Sequence, residues 1–401
     1  MKDTESIVQA AHESPAPTDG HSSGCTMWTA AQVAAITATP GTTLPLLHLD
    51  PGARVAGMDL WDMWPVELAD GTLASFAGDE TLWMVLAAPN PAPGGPDPDE
   101  RHLIARIHLM AEHHGQWRLL DPVFPDGFTP GAREWSGSAI YDPATARVTV
   151  YFTASGRRDE ASVTFEQRLF EAEARLDARD GHYTMQDWTG PAESIAPDGA
   201  WYLDTRSTGG GVGTIKAFRD PGFFRDPATA REYLFFTASC GRSASAWNGV
   251  VGVAERGGAD EGWHLQPPVL SADGLNNELE RPHMRVMDGR YVLFWSTQGK
   301  VFADGGPVGP TGLYGAVADH PKGPFTLLNG TGLIAANPPE APAQEYSWWV
   351  LADGRCNAFA DLPGVADPAS LAPGEMRRAH FAGYPTRFVR VVVEGDTARI
   401  I

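Results

Sequence analysis

The amino-acid sequence predicts an all-β protein, a five-bladed β-propeller with a central funnel-shaped active site. Short runs of β-branched and aromatic residues alternate with Gly, Pro, Asp and Asn along most of the 401 residues, which favours a sandwich, a barrel or a propeller. One turn-and-strand pattern recurs along the chain, and polar or aromatic pairs stand at similar distances before each copy. Hydrophobic residues make up 43% of the chain, which is enough for a large packed core.

The N-terminal region differs from the rest of the chain. Residues 1–25 are polar and rich in Ser, Pro and His, so we predict a disordered tail followed by a single propeller domain over 26–401. A short helix is predicted over 26–36, with Thr29 as its N-cap. No charged-then-apolar signal pattern and no membrane-spanning apolar run is present. We therefore expect a cytoplasmic protein or one exported by an unconventional route, with secretion left open.

Nine short segments are predicted as strands because they combine β-forming residues with flanking turn residues. They cover 82–86, 103–110, 148–152, 162–169, 233–236, 250–254, 291–295, 313–317 and 388–393. Helical periodicity is scarce between them, so we expect the sheets to be joined mainly by turns.

An internal repeat favours a propeller among the all-β folds. The letters Asp-Pro-Ala-Thr-Ala-Arg occur at 142–147 and again at 226–231, each followed by Phe-Thr-Ala-Ser. A looser copy starts at Asp288, and two further Asp-Gly turns lie at 70–71 and 353–354, a strong hairpin signal. Five such turns predict five blades, because a propeller repeats one four-stranded sheet around a channel. Chance repetition in a chain rich in Gly and Asp is the alternative.

A polar or aromatic pair precedes each turn by roughly one strand length. The five pairs are Trp61-Asp62, Trp135-Ser136, Arg219-Asp220, Glu280-Arg281 and Glu345-Tyr346. Equivalent positions on five inner strands would converge on the channel axis. Phe-Arg-Asp-Pro occurs twice, and its second copy coincides with the repeated turn. We therefore predict Asp226 to be a turn residue and Asp220 to be the axial residue.

Three carboxylates, Asp62, Asp220 and Glu280, are thus predicted to share one pocket. Retaining glycoside cleavage needs a nucleophilic carboxylate and, about 5–5.5 Å away, a second carboxyl group that donates and then accepts a proton. Crowded acids push their pKa values apart, so one can stay protonated near neutral pH while its neighbour is ionised. Trp61 and Trp64 offer aromatic faces for a sugar ring beside Asp62. An aromatic inner strand with a solvated acid would show the same letters.

The net charge and the cysteine content limit the classes of partner and metal site that we expect for this protein. The net charge of -20, from 30 basic and 50 acidic residues, argues against nucleic acid or an anionic membrane as a partner. It is compatible with a neutral small-molecule substrate. Cys25, Cys240 and Cys356 are far apart in the sequence, so neither a disulfide framework nor a zinc site is expected. No cofactor is expected, and the sequence does not determine the oligomeric state.

Four blocks of the sequence resemble the signature blocks of glycoside hydrolase family 68, which contains levansucrases, inulosucrases and bacterial β-fructofuranosidases. The blocks are Trp61-Asp62-Met63-Trp64-Pro65, Glu134-Trp135-Ser136-Gly137-Ser138, Phe218-Arg219-Asp220-Pro221 and Glu278-Leu279-Glu280-Arg281-Pro282-His283. They occur in the order found in the family, and the similarity extends from about Trp28 to near the C-terminus. The resemblance implies a five-bladed propeller and a retaining fructosyl enzyme that cleaves sucrose and passes fructose to water or a sugar acceptor.

The resemblance also implies roles for individual residues. Asp62 would be the nucleophile that forms a covalent fructosyl-enzyme, Asp220 the transition-state stabiliser and Glu280 the acid/base. Ser136 would hydrogen-bond the nucleophile. The substrate contacts implied by the resemblance are Trp61, Trp135, Ser136, Arg219, Glu278, Gln298 and Tyr346.

Two departures from the family pattern affect the expected products and metal content. Gln298 stands where relatives carry an Arg or His that contacts the glucosyl or acceptor sugar, and a neutral amide holds an acceptor differently from a cation. We therefore expect hydrolysis and transfer to short oligosaccharides over long levan. The pair Asn276-Asn277 stands where some relatives place a calcium-ligating Asp. No metal is expected, because calcium favours charged oxygen ligands.

Two alternatives remain open at this point. A non-catalytic carbohydrate-binding propeller would lack one of the three carboxylates, whereas all three are present. A related five-bladed glycosidase acting on arabinose- or xylose-containing glycans would share the three-carboxylate plan.

Overall fold

A computed structural model of the chain describes residues 24–90, 97–179, 181–206, 209–211 and 214–401. Residues 1–23 of the predicted tail lie outside these ranges. The helices of the described residues are α1 (Ala30–Ala34), α2 (Glu375–His380) and short 3-10 helices at Pro51–Ala53, Ala77–Asp79, Pro98–Leu103, Gly299–Val301, Leu328–Gly330 and Pro368–Ser370. Within this part of the chain, no helix has both the length and the apolar composition needed to cross a lipid bilayer.

The described strands form four sheets, one of which has eight strands and consists of two antiparallel units side by side. The chain therefore has five successive antiparallel units, here called blades. A short strand, β1 (Thr26–Met27), precedes them. The first blade comprises β2 (Met58–Glu67), β3 (Thr81–Pro89), β4 (Arg106–His113) and β5 (Gln116–Pro122). The second comprises β6 (Arg133–Asp142), β7 (Arg147–Ser155), β8 (Gln167–Arg179) and β9 (His182–Ile195). The third comprises β10 (Phe218–Arg225), β11 (Glu232–Ser239), β12 (Gly249–Arg256) and β13 (His264–Ser271).

The last two blades are less regular. The fourth comprises β14 (Glu280–Met287), β15 (Arg290–Thr297) and β16 (Gly312–Ala318), with β17 (Thr326–Leu327) and β18 (Leu333–Ala336) both paired to β16. The fifth comprises β19 (Glu345–Val350), β20 (Arg355–Ala360), β21 (Tyr384–Pro385), β22 (Val389–Glu394) and β23 (Thr397–Ile400).

The first strand of each blade lies at the centre, and these inner strands form a closed ring. β2 packs against β6, β6 against β10, β10 against β14, β14 against β19, and β19 against β2. Blades one and two are also joined directly, because Val66 and Glu67 pair in parallel with Ala139 and Ile140. The structure therefore confirms the predicted five-bladed propeller.

The repeated turns lie where the sequence places them, between the first two strands of a blade. Asp226 closes the turn between β10 and β11: its carboxylate accepts hydrogen bonds from the Ala228 N–H at 3.0 Å and from the Tyr291 hydroxyl at 2.7 Å. The Asp288-Gly289 turn connects β14 to β15 with positive φ at both residues, which is the type that matches the twist of a hairpin. The prediction that Asp226 is a turn residue is confirmed.

The N-terminal segment packs against the third and fourth blades and links them. β1 pairs in parallel with β13 of the third blade, and Trp28 then packs edge-on against Trp295 of the fourth. The Trp28 indole N–H donates to the Thr331 carbonyl at 3.0 Å. Thr29 caps α1 as predicted, but the helix is shorter than expected because Thr26 and Met27 belong to β1.

Two predicted strands begin too early. The run 103–110 becomes β4 only at Arg106, since Pro98–Leu103 forms a 3-10 helix that Asp97 caps by accepting the Asp99 N–H. The run 162–169 becomes β8 only at Gln167. Before it, the Glu160 carboxylate accepts the N–H groups of Arg157 at 3.0 Å and Thr164 at 3.1 Å, and this holds the segment in a loop.

Charged side chains also tie the inner strands together. Arg285 of β14 donates one hydrogen bond to the carboxylate of Glu67 on β2 and another, at 2.7 Å, to the Val350 carbonyl on β19. Both Arg285 and Glu67 are buried. Burial raises the pKa of Glu67 to about 7 against the opposing effect of Arg285. One arginine thus links blades one, four and five.

Candidate active site

A β-bulge interrupts the inner strand of every blade at an equivalent place. The register shifts lie between Trp61 and Met63, Trp135 and Gly137, Arg219 and Gly222, Glu280 and His283, and Tyr346 and Trp349. Bulges bend a strand and re-aim its side chains. Five aligned bulges therefore present one ring of side chains at the same level of the channel.

Four of the five bulges contain a non-glycine residue in the left-handed backbone region. Asp62, Asp220, Arg281 and Ser347 have φ angles of 34°, 60°, 53° and 66°. Such a conformation costs on the order of 1–3 kcal/mol for a residue with a side chain, so the surrounding structure must hold it in place. The two carboxylates with this backbone are two of the three predicted axial acids.

All ten residues predicted for the site line one pocket of about 470 Å³. They are Trp61, Asp62, Trp135, Ser136, Arg219, Asp220, Glu278, Glu280, Gln298 and Tyr346. The residue directly before each bulge faces the pocket in every blade. The volume lies within the roughly 300–1,000 Å³ range of small-molecule sites. The structure thus brings the predicted residues together, while their individual roles stay predictions.

One of the five predicted pairs is out of register by one residue. The equivalent pair on β19 is Tyr346-Ser347, whereas the sequence pattern indicated Glu345-Tyr346. Glu345 pairs with Ala360 before the bulge and does not line the pocket. Counting back from a turn misplaces the pair because the spacing from bulge to turn varies among the blades.

Asp62 and Ser136 meet across the boundary between blades one and two. The Ser136 hydroxyl donates to Oδ2 of Asp62 at 2.7 Å. Ser136 is 1% exposed, and its own carbonyl accepts the Thr153 hydroxyl at 3.0 Å. The hydrogen bond therefore comes from a rigid donor and orients the carboxylate.

Asp220 is held by groups from three blades. Its backbone N–H donates to the Thr153 hydroxyl oxygen at 2.9 Å, and its Oδ2 accepts the Thr237 hydroxyl at 3.1 Å and the Arg281 backbone N–H at 3.3 Å. The side chain is buried. Burial raises the pKa of Asp220 to about 7: Arg219 opposes the rise, and Glu280 adds to it.

Arg219 joins two glutamates in the pocket. Its Nη2 donates to Oε1 of Glu280 at 2.8 Å and to Oε2 of Glu278 at 3.1 Å. Burial lowers the pKa of Arg219, but Glu280, Glu278 and Asp220 raise it more, so the guanidinium stays charged. Burial and the Glu280 charge raise the pKa of Glu278 to about 7.

Tyr346 completes the surroundings of Glu280. The Tyr346 hydroxyl donates to Oε2 of Glu280, the oxygen that Arg219 leaves unoccupied. Burial, with the Glu280 charge, raises the pKa of Tyr346 well above its ordinary value, so the phenol keeps its proton. Gln298, the residue after β15, lies near the same phenol and slightly opposes this rise in its pKa.

Arg281 supports the site without lining the pocket. Its guanidinium donates to the Ser347 hydroxyl at 2.9 Å and to the Met63 carbonyl at 2.6 Å, and it lies 5.1 Å from the ring centre of Trp349. It is buried. It therefore provides a second fixed positive charge near Asp62 and Asp220 and ties three blades together.

A loop that no sequence pattern indicated covers the two tryptophans. His102, in the 3-10 helix Pro98–Leu103, lines the pocket with its ring centre 5.4 Å from Trp61 and 6.4 Å from Trp135. The Trp135 indole N–H donates to the His102 carbonyl at 3.1 Å. Burial, with Arg101 nearby, lowers the pKa of His102 well below 6.5, so its imidazole is neutral. A neutral ring retains a nitrogen that can accept a sugar hydroxyl.

An ionic contact fastens this loop to the C-terminal part of the chain. Asp97 accepts the Gly374 N–H at 2.6 Å, and Arg377 bridges Asp97 at 3.4 Å and Asp99 at 2.5 Å. Arg377 and Lys300 also line the pocket. No local signal links these segments, because nearly 280 residues separate them along the chain.

The pair Asn276-Asn277 is occupied by protein groups. Asn276 Oδ1 accepts the Glu278 N–H at 2.8 Å, and Asn277 Oδ1 accepts the Lys216 ammonium at 2.6 Å. In the ranges that the structure describes, no group of three or more His, Cys, Asp or Glu side chains is arranged to hold a metal ion. The expectation that no structural Ca²⁺ binds stays a prediction.

Known proteins resemble this chain in both sequence and structure. A family model described as Levansucrase/Invertase matches residues 18–250 and 241–375. The levansucrase LscC of Pseudomonas savastanoi pv. glycinea is 27% identical over 410 residues, covering 92% of this chain and 89% of that protein. A solved inulosucrase from Halalkalicoccus jeotgali, bound to kestose, is 35% identical with a TM-score of 0.83, covering 94% of this chain and 95% of the other.

A more distant structure shares the fold. The Bacillus subtilis levansucrase superposes with a TM-score of 0.76 at 19% identity, covering 97% of both chains.

Proposed function

The chain belongs to the levansucrase/invertase family, glycoside hydrolase family 68, and on that premise we propose that it cleaves sucrose and transfers the fructosyl group to water or to sugar acceptors. The observation that carries the proposal is the pocket itself. Asp62, Asp220 and Glu280, from three different blades, line it together with Trp61 and Trp135. A carboxylate nucleophile, a second carboxyl group and aromatic walls are the parts that retaining glycoside cleavage requires.

In the first step, Asp62 attacks the anomeric carbon of the fructosyl unit. The bond from that carbon to the glycosidic oxygen breaks, and the proton of Glu280 passes to the departing glucosyl oxygen. The hydrogen bond from Ser136 holds Oδ2 of Asp62 and leaves Oδ1 to form the ester. In the second step, Glu280 removes a proton from water or an acceptor hydroxyl, whose oxygen attacks the same carbon and displaces Asp62.

The Tyr346 hydroxyl can hydrogen-bond to Glu280 whether Glu280 is ionised or protonated. A phenol can donate to the carboxylate and accept from the carboxylic acid, and the Tyr346 hydroxyl is hydrogen-bonded to Glu280. Arg219 donates to the other oxygen at 2.8 Å. We propose that this pair keeps Glu280 in place while its proton moves to the leaving group and is later recovered.

Asp220 is proposed to stabilise the transition state. Positive charge develops on the fructosyl ring as the glycosidic bond breaks, and a buried carboxylate close to it is electrostatically favourable. Thr237 and the Arg281 N–H hold Oδ2, so Oδ1 is left for the sugar hydroxyls. In the pocket without a bound sugar, the pKa of Asp220 is raised to about 7.

We propose hydrolysis and transfer to short acceptors over synthesis of long levan. Gln298 presents a neutral amide at the pocket wall, and a cation is supplied only two residues further on, by Lys300. This part of the pocket wall therefore combines one amide with one ammonium. An acceptor bound by Gln298 is held there by a neutral amide and not by the fixed fork of an arginine at that position.

Incubation of the purified protein with sucrose tests the proposal. Free glucose measures total cleavage, and the shortfall of free fructose relative to glucose measures transfer. Acid quenching during turnover, followed by proteolysis and mass spectrometry, should show a mass gain of one fructosyl unit on a peptide containing Asp62. Absence of glucose release, with cleavage of aryl arabinosides or xylosides instead, would favour the related glycosidase. Saturable sugar binding without cleavage of any substrate would favour a binding propeller.

A further inference from the structure

Lys216 lies in the segment that leads into β10, and its ammonium is surrounded by three oxygen atoms. It donates to Oδ1 of Asn277 at 2.6 Å, to Oδ1 of Asn248 at 2.9 Å and to the carbonyl of Ala246. Asn248 and Asn277 are both buried. An ammonium group has three N–H donors, so each donor has one acceptor. These three acceptors, from two separate segments, are here called the oxygen cradle.

The oxygen cradle is joined to the pocket by two further hydrogen bonds. The amide nitrogen of Asn277 donates to the Ile215 carbonyl at 2.9 Å and to Oε1 of Glu278 at 3.2 Å. Ile215 and Glu278 both line the pocket. Because Lys216 occupies Oδ1 of Asn277, the amide can present only its nitrogen to Glu278. The ammonium and the Ile215 carbonyl therefore favour the same orientation of this amide.

Glu278 is in turn fixed from several sides. Its Oε2 accepts Arg219 of β10 at 3.1 Å. The charge of Glu280 on β14 raises the pKa of Glu278, and the charge of Lys300, which follows β15, lowers it. The charge of Glu278 in turn raises the pKa of Tyr346 on β19. The Asn277 amide is the neutral donor in this set, and it binds the oxygen that Arg219 does not contact. Losing its orientation would leave Oε1 facing a carbonyl oxygen.

Lysine suits this position better than arginine because its charge is concentrated at one atom. The chain has only four lysines among its 30 basic residues, at positions 2, 216, 300 and 322. A guanidinium directs its donors within one plane, whereas an ammonium can direct three donors to oxygens around a point. The oxygen cradle surrounds such a point, which an arginine side chain could not fill in the same way.

We propose that Lys216 is a positioning residue for the reaction: its ammonium serves as a built-in cation that orients the Asn277 amide and so holds Glu278 and Arg219 ready to bind the sugar. This inference rests on the proposed function for the assignment of Glu278 and Arg219 as substrate contacts. It does not require Lys216 to touch the substrate.

Replacing Lys216 by Met keeps the volume of the side chain and removes the ammonium. We expect K216M to raise the KM for sucrose about tenfold, while kcat changes less than about threefold, because a charge-assisted hydrogen bond that supports a binding group is lost. K322M is the matched control, since Lys322 pairs with Glu255 at 2.9 Å and does not line the pocket. An unchanged KM in K216M, or an equal rise in K322M, would overturn the proposal.

A chemical rescue separates charge from volume. K216A leaves room for n-propylammonium, and n-propanol has nearly the same shape without the charge. We expect millimolar propylammonium to raise the Tm of K216A and to restore its KM, whereas propanol does neither and the wild-type protein responds to neither. Equal effects of the two additives, or no effect of propylammonium, would show that the cradle is not a cation site.

The thermal measurement also separates this proposal from the proposed function. If the wild-type protein did not cleave sucrose, the Tm of K216A would still report whether the oxygen cradle selects a cation. If K216A does not fold, K216M decides, because its side chain fills the same space.

Discussion

Nη2 of Arg219 lies 2.8 Å from Oε1 of Glu280, although 61 residues separate them along the chain. Arg219 precedes the bulge of the third inner strand and Glu280 precedes the bulge of the fourth. The contact is therefore a direct consequence of ring closure, which sets equivalent positions of neighbouring blades side by side. It places a fixed positive charge against the carboxylate proposed to transfer the proton.

Removal of either reacting carboxylate should abolish turnover. We expect D62A and E280A to lower kcat for sucrose by at least about 10³-fold, since residues that form or protonate the reacting bonds act as a unit. D126A is the control, because the Asp126 side chain is 94% exposed and does not line the pocket. Circular dichroism should show that all three variants are folded. Retention of activity near the wild-type level in D62A would contradict its role as nucleophile.

Replacing Asp220 by Asn should stabilise the protein while inactivating it. Burial raises the pKa of Asp220 to about 7, above the roughly 3.9 of an unfolded chain. Its ionisation therefore opposes folding, and the loss of stability develops as pH rises from about 4 to 7. D220N removes this penalty, so we expect it to raise the free energy of unfolding by about 2 kcal/mol more at pH 8 than at pH 5.

Urea unfolding of D220N and of the wild-type protein at the two pH values would measure this difference. A stabilisation that is larger at pH 5 than at pH 8 would mean that the pKa of Asp220 is lowered in the folded protein.

His102 should contribute to sugar binding through its position between Trp61 and Trp135. We expect H102A to lower kcat/KM for sucrose about tenfold, because both indoles lose a packed neighbour and the pocket loses a polar ring. H102F restores the packing but has no ring nitrogens. Its activity relative to the wild-type protein therefore measures how much hydrogen bonding by His102 contributes to sugar binding. H114A, at an exposed histidine, should behave as the wild-type protein. If H102A also does so, the covering loop has no part in binding.

Gln298 should influence the products. We expect Q298R to increase the fraction of fructose transferred rather than released, and to lengthen the products, because a bidentate cation holds an acceptor sugar longer than an amide. Chromatography of the products at equal sucrose conversion would measure this. The conservative variant Q298N, which keeps the amide, should leave the distribution closer to wild type. Identical products from Q298R and the wild-type protein would remove Gln298 from the acceptor site.

The contact between Arg285 and Glu67 should matter for stability rather than turnover. Both side chains are buried and belong to different blades, so R285M leaves a carboxylate without its partner. We expect a loss of about 3–5 kcal/mol in the free energy of unfolding. The double variant R285M/E67M should recover much of it, because no buried charge is then unpaired. Chemical denaturation monitored by tryptophan fluorescence would measure both.

Several features were predictable from the sequence because their physical causes are local. The Asp-containing turns at 142 and 226 depend on a few neighbouring residues, and Thr29 caps its helix through Gln32, three positions away. Five such turns predicted five blades, and the pairs one strand length before three of them contained the axial carboxylates Asp62, Asp220 and Glu280. The offset at Tyr346 arose because the same spacing is not constant to within one residue.

By itself, the amino-acid sequence determined the all-β class, the number of blades, the turns and the chemical identity of the acids at the axis. The tertiary structure alone decided the positive φ angles that aim Asp62 and Asp220, the loop that brings His102 against the two tryptophans, and the cradle around Lys216. Turn and strand preferences are encoded within a few consecutive residues. Contacts between distant segments exist only once the ring has closed, because closure brings together groups that no local pattern connects.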